Sequence, residues 1–311
     1  MKKTTVTIGI PAYQAEQNIK NLLISLVNQK TKLITIESIL VYADGCTDNT
    51  VKNAKSVNSN KIQVIAAKKN KGFAFALQSL IKKNQSRIFV ILNDDIRIDS
   101  FGVIEELVKP LIRDRKAGLV GGNIRALPPQ SFIGRCIYAS YLTYLPLRYG
   151  FRNGETDLTC DGKILALRKE FAGSLNLTKL PIGNVDIYLY YEALKKGWLY
   201  KFAKKAVVVF RLPETVADFR NQEIRAEASR RLVKELFGSL YIDNNKLSFF
   251  EYLKSALNVF AKYPIETLFY KFYLKRQLKV NKRSYSKWKL ALTTKKLSLF
   301  GIDIESLLHQ L

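Results

Sequence analysis

Along the first 126 residues, two hydrophobic periods alternate. The runs TVTIGI (5–10), IESILVYA (36–43), KIQVIAA (61–67), RIFVIL (87–92) and AGLVGGNIRA (117–126) are short, apolar and rich in β-branched side chains. That is the pattern of buried strands. Between them the apolar spacing is helical. Residues 15–29 set Ile19, Leu22, Leu23, Leu26 and Val27 on one face, and 48–56, 72–83 and 101–113 follow as further helices. Thr47 or Asp48 is the expected N-cap of the helix at 48–56. A β-α-β-α series predicts an α/β fold with a parallel or mostly parallel sheet and helices on both faces.

The pattern then loosens. Residues 127–154 are aromatic and interrupted by proline, and read as a helix or lid rather than sheet. Residues 163–171 read as a strand entering a turn, 186–197 as a helix closed by Gly197, and 198–210 as two short strands. Beyond Pro213 the chain predicts helices at 217–238, at 247–262 and after Pro264. The division expected is a sheet domain at 1–212 and a helical extension at 213–311.

Composition narrows the chemistry. Hydrophobic residues make up 47% of the 311, enough for a real core. The 51 Lys and Arg outnumber 26 Asp and Glu, a formal charge of +25 that implies an anionic partner. Three dispersed cysteines, Cys46, Cys136 and Cys160, offer neither zinc spacing nor a disulfide framework. The only histidine is His309, which argues against a Ser-His-Asp triad and against histidine-rich metal sites. Acid-base or metal chemistry therefore falls to carboxylates. No apolar run is long enough to span a bilayer, and the opening MKKTTVTIGIPAY reads as a first strand, so the expected location is cytoplasmic.

Three acids sit where α/β sheets hold ligands, after strands or at a helix start. Asp44 ends the second strand, Asn93-Asp94-Asp95 follows the fourth, and Asp186 opens a helix. The NDD run suits a hard cation such as Mg²⁺ or Mn²⁺ together with a phosphate. A polar turn is the competing reading. For Asp186 the competing reading is an acid complementing the helix dipole.

Five motifs in order carry a resemblance: TIGIPAYQAEQNIKNLLISLVNQ, VYADGCTDNT, NKGFAFALQ, LNDD and VDIYLYYEALKKGW. Together they resemble a family 2 glycosyltransferase of GT-A fold, over about residues 4–212. LNDD is similar to that family's DxD motif in a form beginning with Asn, and Val185 stands where an acid usually precedes the catalytic Asp. The resemblance implies an inverting transferase that takes a sugar from a nucleotide-sugar, a UDP-sugar by preference. It implies that Asp44 receives the base or ribose, that Pro11, Ala12 and Tyr13 line the base pocket with Glu16 closing it, and that Lys71 and Gly72 flank the nucleotide. Asn93 and Asp94 would belong to the nucleotide-binding set, Asp95 (with Asn93 approaching) would hold the Mg²⁺ or Mn²⁺ that bridges the diphosphate, and Asp186 would be the general base. Gly197-Trp198 matches the family's closing pair and puts Trp198 on the acceptor side. Gln222 and Arg225, in NQEIRAEASRR, faintly resemble the acceptor-side QxxRW element of polysaccharide synthases, with Ala226 in place of Trp. An ordinary charged helix is the alternative there.

The tail is separate in character. Residues 267–302 hold ten Lys or Arg, no acid, and interleaved aromatics. Nucleic acid and an anionic membrane surface both fit such a segment. The membrane is preferred, because 247–279 sets Phe249, Leu253, Leu257 and Phe260 on one face and Leu268, Phe269, Phe272 and Tyr273 beyond Pro264. A face packed on the domain gives the same periodicity. The expected partners are a nucleotide-sugar donor, a glycan or glycolipid acceptor and the inner face of a membrane. The rivals are transfer to polyprenyl phosphate, and a non-catalytic nucleic-acid-binding protein.

Overall fold

In the structure, a computed structural model, residues 3–178, 180, 185–244, 249–278, 291–295 and 297 are described. The first half builds β1 (Thr4–Ala12), α1 (Ile19–Val27), β2 (Ile34–Asp44), α2 (Thr50–Lys55), β3 (Ile62–Ala67), α3 (Phe73–Lys82), β4 (Ile88–Leu92), β5 (Ile96–Arg97), α4 (Val103–Arg113) and β6 (Ala117–Ala126). Then come α5 (Phe132–Gly150), β7 (Ile164–Arg168), α6 (Lys169–Gly173), α7 (Val185–Lys195), β8 (Leu199–Phe210), α8 (Val216–Asn244), α9 (Phe249–Lys262) and α10 (Pro264–Phe272).

Eight strands form one sheet in the order β3-β2-β1-β4-β7-β6-β8-β5. The central β4, IFVIL, is buried at every position, as a strand covered on both faces must be. One apolar layer sets Val6, Ile8 and Ile10 against Leu22 and Leu26 of α1 and Ile104 and Leu107 of α4. The other sets Phe89 and Ile91 against Leu77 and Leu80 of α3 and Leu189 of α7. Gly9 keeps β1 flat beneath Phe89, whose ring a Cβ there would meet at 2.4 Å.

The sheet is mixed. β7 runs antiparallel to both β4 and β6, and β5 antiparallel to β8. Residues 199–210 form one strand rather than two, with its register against β6 shifting between Gly122 and Asn123. Because β1, β2, β3, β4, β6 and β8 share a direction, their carboxyl ends meet at one edge. Reversed β7 brings its amino end to that same edge.

The helices after Pro213 are seated on this body. Val233 and Phe237 of α8 are buried in the layer that contains Tyr188 and Tyr191 of α7. α8 kinks at Gly238, which has φ +47°. α9 and α10 pack on α5: Ser255 donates to the Thr143 carbonyl at 2.7 Å, and Phe132 meets Phe269 edge to face. Among the described residues no helix is long and apolar enough to cross a membrane.

Candidate active site

The site is assembled from loops at the common edge. After β2 the chain turns at Gly45, which holds φ +68°. A Cβ there would come within 2.3 Å of the Asn70 backbone nitrogen, so the position admits only glycine. The Asp44 carboxylate accepts from the Lys71 N–H at 2.9 Å and the Gly72 N–H at 2.7 Å. It thus ties the approach to α3 onto β2. Burial pushes the Asp44 carboxyl up, and those two N–H groups oppose the rise. The expected nucleotide contact of Asp44 meets a carboxylate whose two oxygens are already engaged by backbone.

The polar run CTDNT stitches the loop after β1 to the start of α2. Asp48 accepts from the Thr50 and Glu16 N–H groups, and Gln14 and Thr47 bond reciprocally. Glu16 accepts from the N–H and side chain of Asn49, and the Lys71 ammonium lies 4.5 Å from the Phe75 ring centroid. Ala12 is buried in the core, while Pro11 reaches the cleft described next.

The cleft opens at the ends of β4 and β7. Asn93 donates its N–H to the Lys163 carbonyl at 3.2 Å, which joins the two strand ends. Asp94 is buried and fully engaged: Oδ2 accepts from the Tyr13 N–H at 2.9 Å and Oδ1 from the Lys295 ammonium at 2.5 Å. Asn93 Oδ1 and Asp95 Oδ1 are buried without a hydrogen-bond partner among the described residues. Both line the cleft.

Asp186 opens α7 into the same cleft. Its Oδ2 accepts from the Gly162 N–H at 3.1 Å and its Oδ1 from the Ile187 N–H at 2.9 Å. Burial raises its proton affinity, and the charge of Asp161 raises it further, against those two hydrogen bonds. Asp161 is shifted the other way. Burial works to raise it, but Lys163 and Arg148 outweigh burial and bring it to about 2. Lys163 stands 3.2 Å and Arg148 3.4 Å from its carboxylate. Two neighbouring carboxyls with separated proton affinities are a recurrent acid-base device.

Gln222 and Arg225 of α8 line the cleft as well. Burial lowers the Arg225 pKa, Asp95 opposes this, and its Nε–H has no partner among the described residues. Trp198 is not brought there. It stands at the start of β8, at the opposite edge of the sheet, where a Cβ on Gly118 would press on its indole at 2.6 Å. Gly197-Trp198 closes α7 structurally: Gly197 adopts φ +79°, and the Trp198 N–H bonds the Ala193 carbonyl.

Asp161, Lys163, Arg211 and Lys295 line the cleft too, and the sequence reading did not single them out for chemistry. TCDGK looks like a turn, and becomes a site only because β7 is reversed. Lys295 is one of ten bases in the tail. Among the described residues no three His, Cys, Asp or Glu side chains group as a metal cage.

A cleft of this kind, acidic and cation-lined at the carboxyl ends of parallel strands, is where α/β enzymes bind phosphorylated ligands. The model for glycosyl transferase family 2 matches residues 7–172, more than half the chain, and the protein belongs to that family of glycosyltransferases. No curated protein matches it. Among solved structures it is similar to the mannosyltransferase PcManGT from Pyrobaculum calidifontis, in complex with GDP-Man and Mn²⁺. That match has TM-score 0.55 and 16% identity, and covers 89% of this chain and 73% of that one. It is also similar to glucosyl-3-phosphoglycerate synthase from Mycobacterium tuberculosis, in complex with Mn²⁺, UDP-glucose and glycerol 3-phosphate. There the TM-score is 0.53 and the identity 18%, with 74% of this chain and 80% of that one covered. At these identities the likeness is one of fold.

Proposed function

We propose that the protein transfers a sugar from a nucleotide-sugar, a UDP-sugar by preference, to a hydroxyl of a glycan or lipid-linked glycan, inverting the anomeric centre. The observation that carries this reading is the shared cleft of Asp186 and the NDD turn. Asp186 is held by two backbone N–H groups and has its proton affinity raised. A base of that kind accepts the acceptor's hydroxyl proton as oxygen attacks the anomeric carbon. Asp161, kept ionised by Lys163 and Arg148, sustains that raised affinity.

Asp95 and Asn93 would hold Mg²⁺ or Mn²⁺. The two buried oxygens without partners fit a hard cation that completes its shell with substrate phosphate. When bound, the cation supplies charge neutralisation at the departing diphosphate. Both similar structures carry Mn²⁺ with a nucleotide-sugar, which supports the same reading. The Arg225 Nε–H is a further unfilled donor for a substrate oxygen.

The same proposal places the protein on an anionic membrane surface, the inner face of the cell membrane. α9 packs on α5 through Ser255 and Val259, while Phe249, Leu253, Leu257 and Phe260 face outward. Leu268, Phe272 and Tyr273 are exposed as well, whereas Phe269 is packed against Phe132. This arrangement favours the interfacial reading over a face packed on the domain.

The test is nucleotide release from a panel of UDP-, GDP- and dTDP-sugars, with Mn²⁺ or EDTA. Slow, metal-dependent hydrolysis of one donor, lost in Asp95→Ala, is expected. A wild type that neither turns over nor binds any of them by calorimetry overturns the reading. Acceptor class is read separately, since a polyprenyl phosphate is already ionised and its glycosylation would survive Asp186→Asn.

A further inference from the structure

Within the basic tail, Ala291, Thr294 and Lys295 line the cleft. Thr293 and Leu297, on either side of Lys295, are both seated on the body. Thr293 donates its N–H and hydroxyl to Asp218 Oδ2 at 2.9 and 2.6 Å and accepts the Glu214 N–H at 3.2 Å. Leu297 is buried with Leu127 and Val209. The Lys295 ammonium then reaches 201 positions back along the chain to Asp94 and also donates to the Tyr13 carbonyl at 3.1 Å. An ammonium has three donors. Two are used, the third has no partner among the described residues, and Lys295 lines the cleft beside Asp95.

Charge completes the argument. Asp94, Asp95, Asp161 and Asp186 face the cleft, and four cations including Lys295 face them. Without Lys295 the cleft carries an excess of negative charge, and a buried Asp94 carboxylate stands unneutralised where an anionic donor must enter. Before a divalent cation enters, such a field repels a diphosphate.

We infer that Lys295 is a donor-binding residue: its remaining N–H bonds the diphosphate of the nucleotide-sugar, so the segment 291–295 forms one wall of the active site. The inference rests on the nucleotide-sugar reading above and goes beyond it in assigning this segment to the donor.

The variant Asp94→Asn/Lys295→Met tests it without leaving a lone buried charge. Asp94→Asn alone is the reference, because Asp94 also carries a charge and holds the Tyr13 N–H, so the difference between the two variants falls to Lys295. Calorimetry with UDP and GDP, each with Mn²⁺ and with EDTA, is compared with uridine and guanosine. The expected result is a diphosphate Kd raised at least tenfold over that of Asp94→Asn and nucleoside binding unchanged. A folded double variant that binds diphosphate as tightly as Asp94→Asn overturns the inference alone. A wild type that binds neither diphosphate overturns the donor reading and the inference with it. Should the double variant not fold, wild-type protein with ¹³C-methylated lysines answers the question. The Lys295 resonance, identified by its absence from Lys295→Arg, moves with UDP and not with uridine. A resonance indifferent to UDP overturns the proposal.

Discussion

At Asp186, burial and the charge of Asp161 act in one direction, both raising the proton affinity of a carboxylate held by two backbone N–H groups. The proposed general base must be ionised, so activity is expected above its pKa and is lost as pH falls through it. The acid limb of kcat/KM is therefore expected above the usual aspartate range. Asp161→Asn removes the like charge and releases Lys163 and Arg148, which lowers the Asp186 pKa and moves the limb to lower pH; a limb moved upward refutes the pairing. Asp186→Asn is expected to lower kcat by roughly 100- to 10,000-fold, the span of a positioned general base. Steady-state turnover with the active donor checks it, and undiminished kcat assigns the base elsewhere. Asp161 also carries stability. Its folded pKa of about 2 lies below the unfolded value near ~3.9, so its contribution is present above that value and is lost as pH falls through about 2. Of these residues Asp186 was legible in the sequence, because it opens a helix at a motif. Asp161 was not, because its place depends on the direction of β7, and direction is set by pairing rather than by composition.

At the scale of elements, strands and helices were readable wherever one face or both are buried. IFVIL and the α4 positions Val103, Ile104, Leu107, Val108 and Leu111 leave no other period. The two-residue β5 was not readable, nor the continuity of β8 through its register shift, since both are settled by neighbouring strands. The turn after β2 shows what a short motif encodes. Asp44-Gly45 pins the approach to α3 by two N–H bonds, and it does so because glycine admits the Asn70 backbone. Gly45→Ala combines a left-handed φ with a Cβ 2.3 Å from that nitrogen. The strain alone is of order 1–3 kcal/mol. The midpoint of urea unfolding is expected to fall accordingly, with nucleotide affinity falling too as the loop shifts. An unchanged midpoint would mean that the loop yields and that Asp44 does not fix it.

For the whole molecule, the formal charge of +25 and the outward face of α9 and α10 act together. Phe250 is 81% exposed, Phe249 and Ile265 68%, and Leu257 59%. An aromatic and aliphatic surface of this extent, flanked by Lys254, Lys262, Lys271 and Lys275, has the composition of an interfacial anchor. Apolar insertion and attraction to anionic headgroups differ in their response to salt, since only the second is screened. Vesicles with anionic lipid are therefore expected to bind the protein, neutral vesicles to bind it more weakly, and salt to weaken the first without abolishing it. Phe250→Ser/Ile265→Ser removes two side chains worth about 1.5–3 kcal/mol each if fully buried. Partitioning is expected to drop at least about tenfold, since each 1.4 kcal/mol is a factor of ten. Hydrolysis of a soluble donor should be unaffected, because neither residue lines the cleft. Flotation with the vesicles, run beside single-stranded DNA as competitor, separates the two anionic partners. Binding that ignores the double substitution, vanishes with salt and is displaced by DNA would assign the basic surface to nucleic acid. Binding that needs Phe250 and Ile265 and survives DNA makes the helical annex a membrane anchor, holding the cleft where a lipid-linked acceptor is presented.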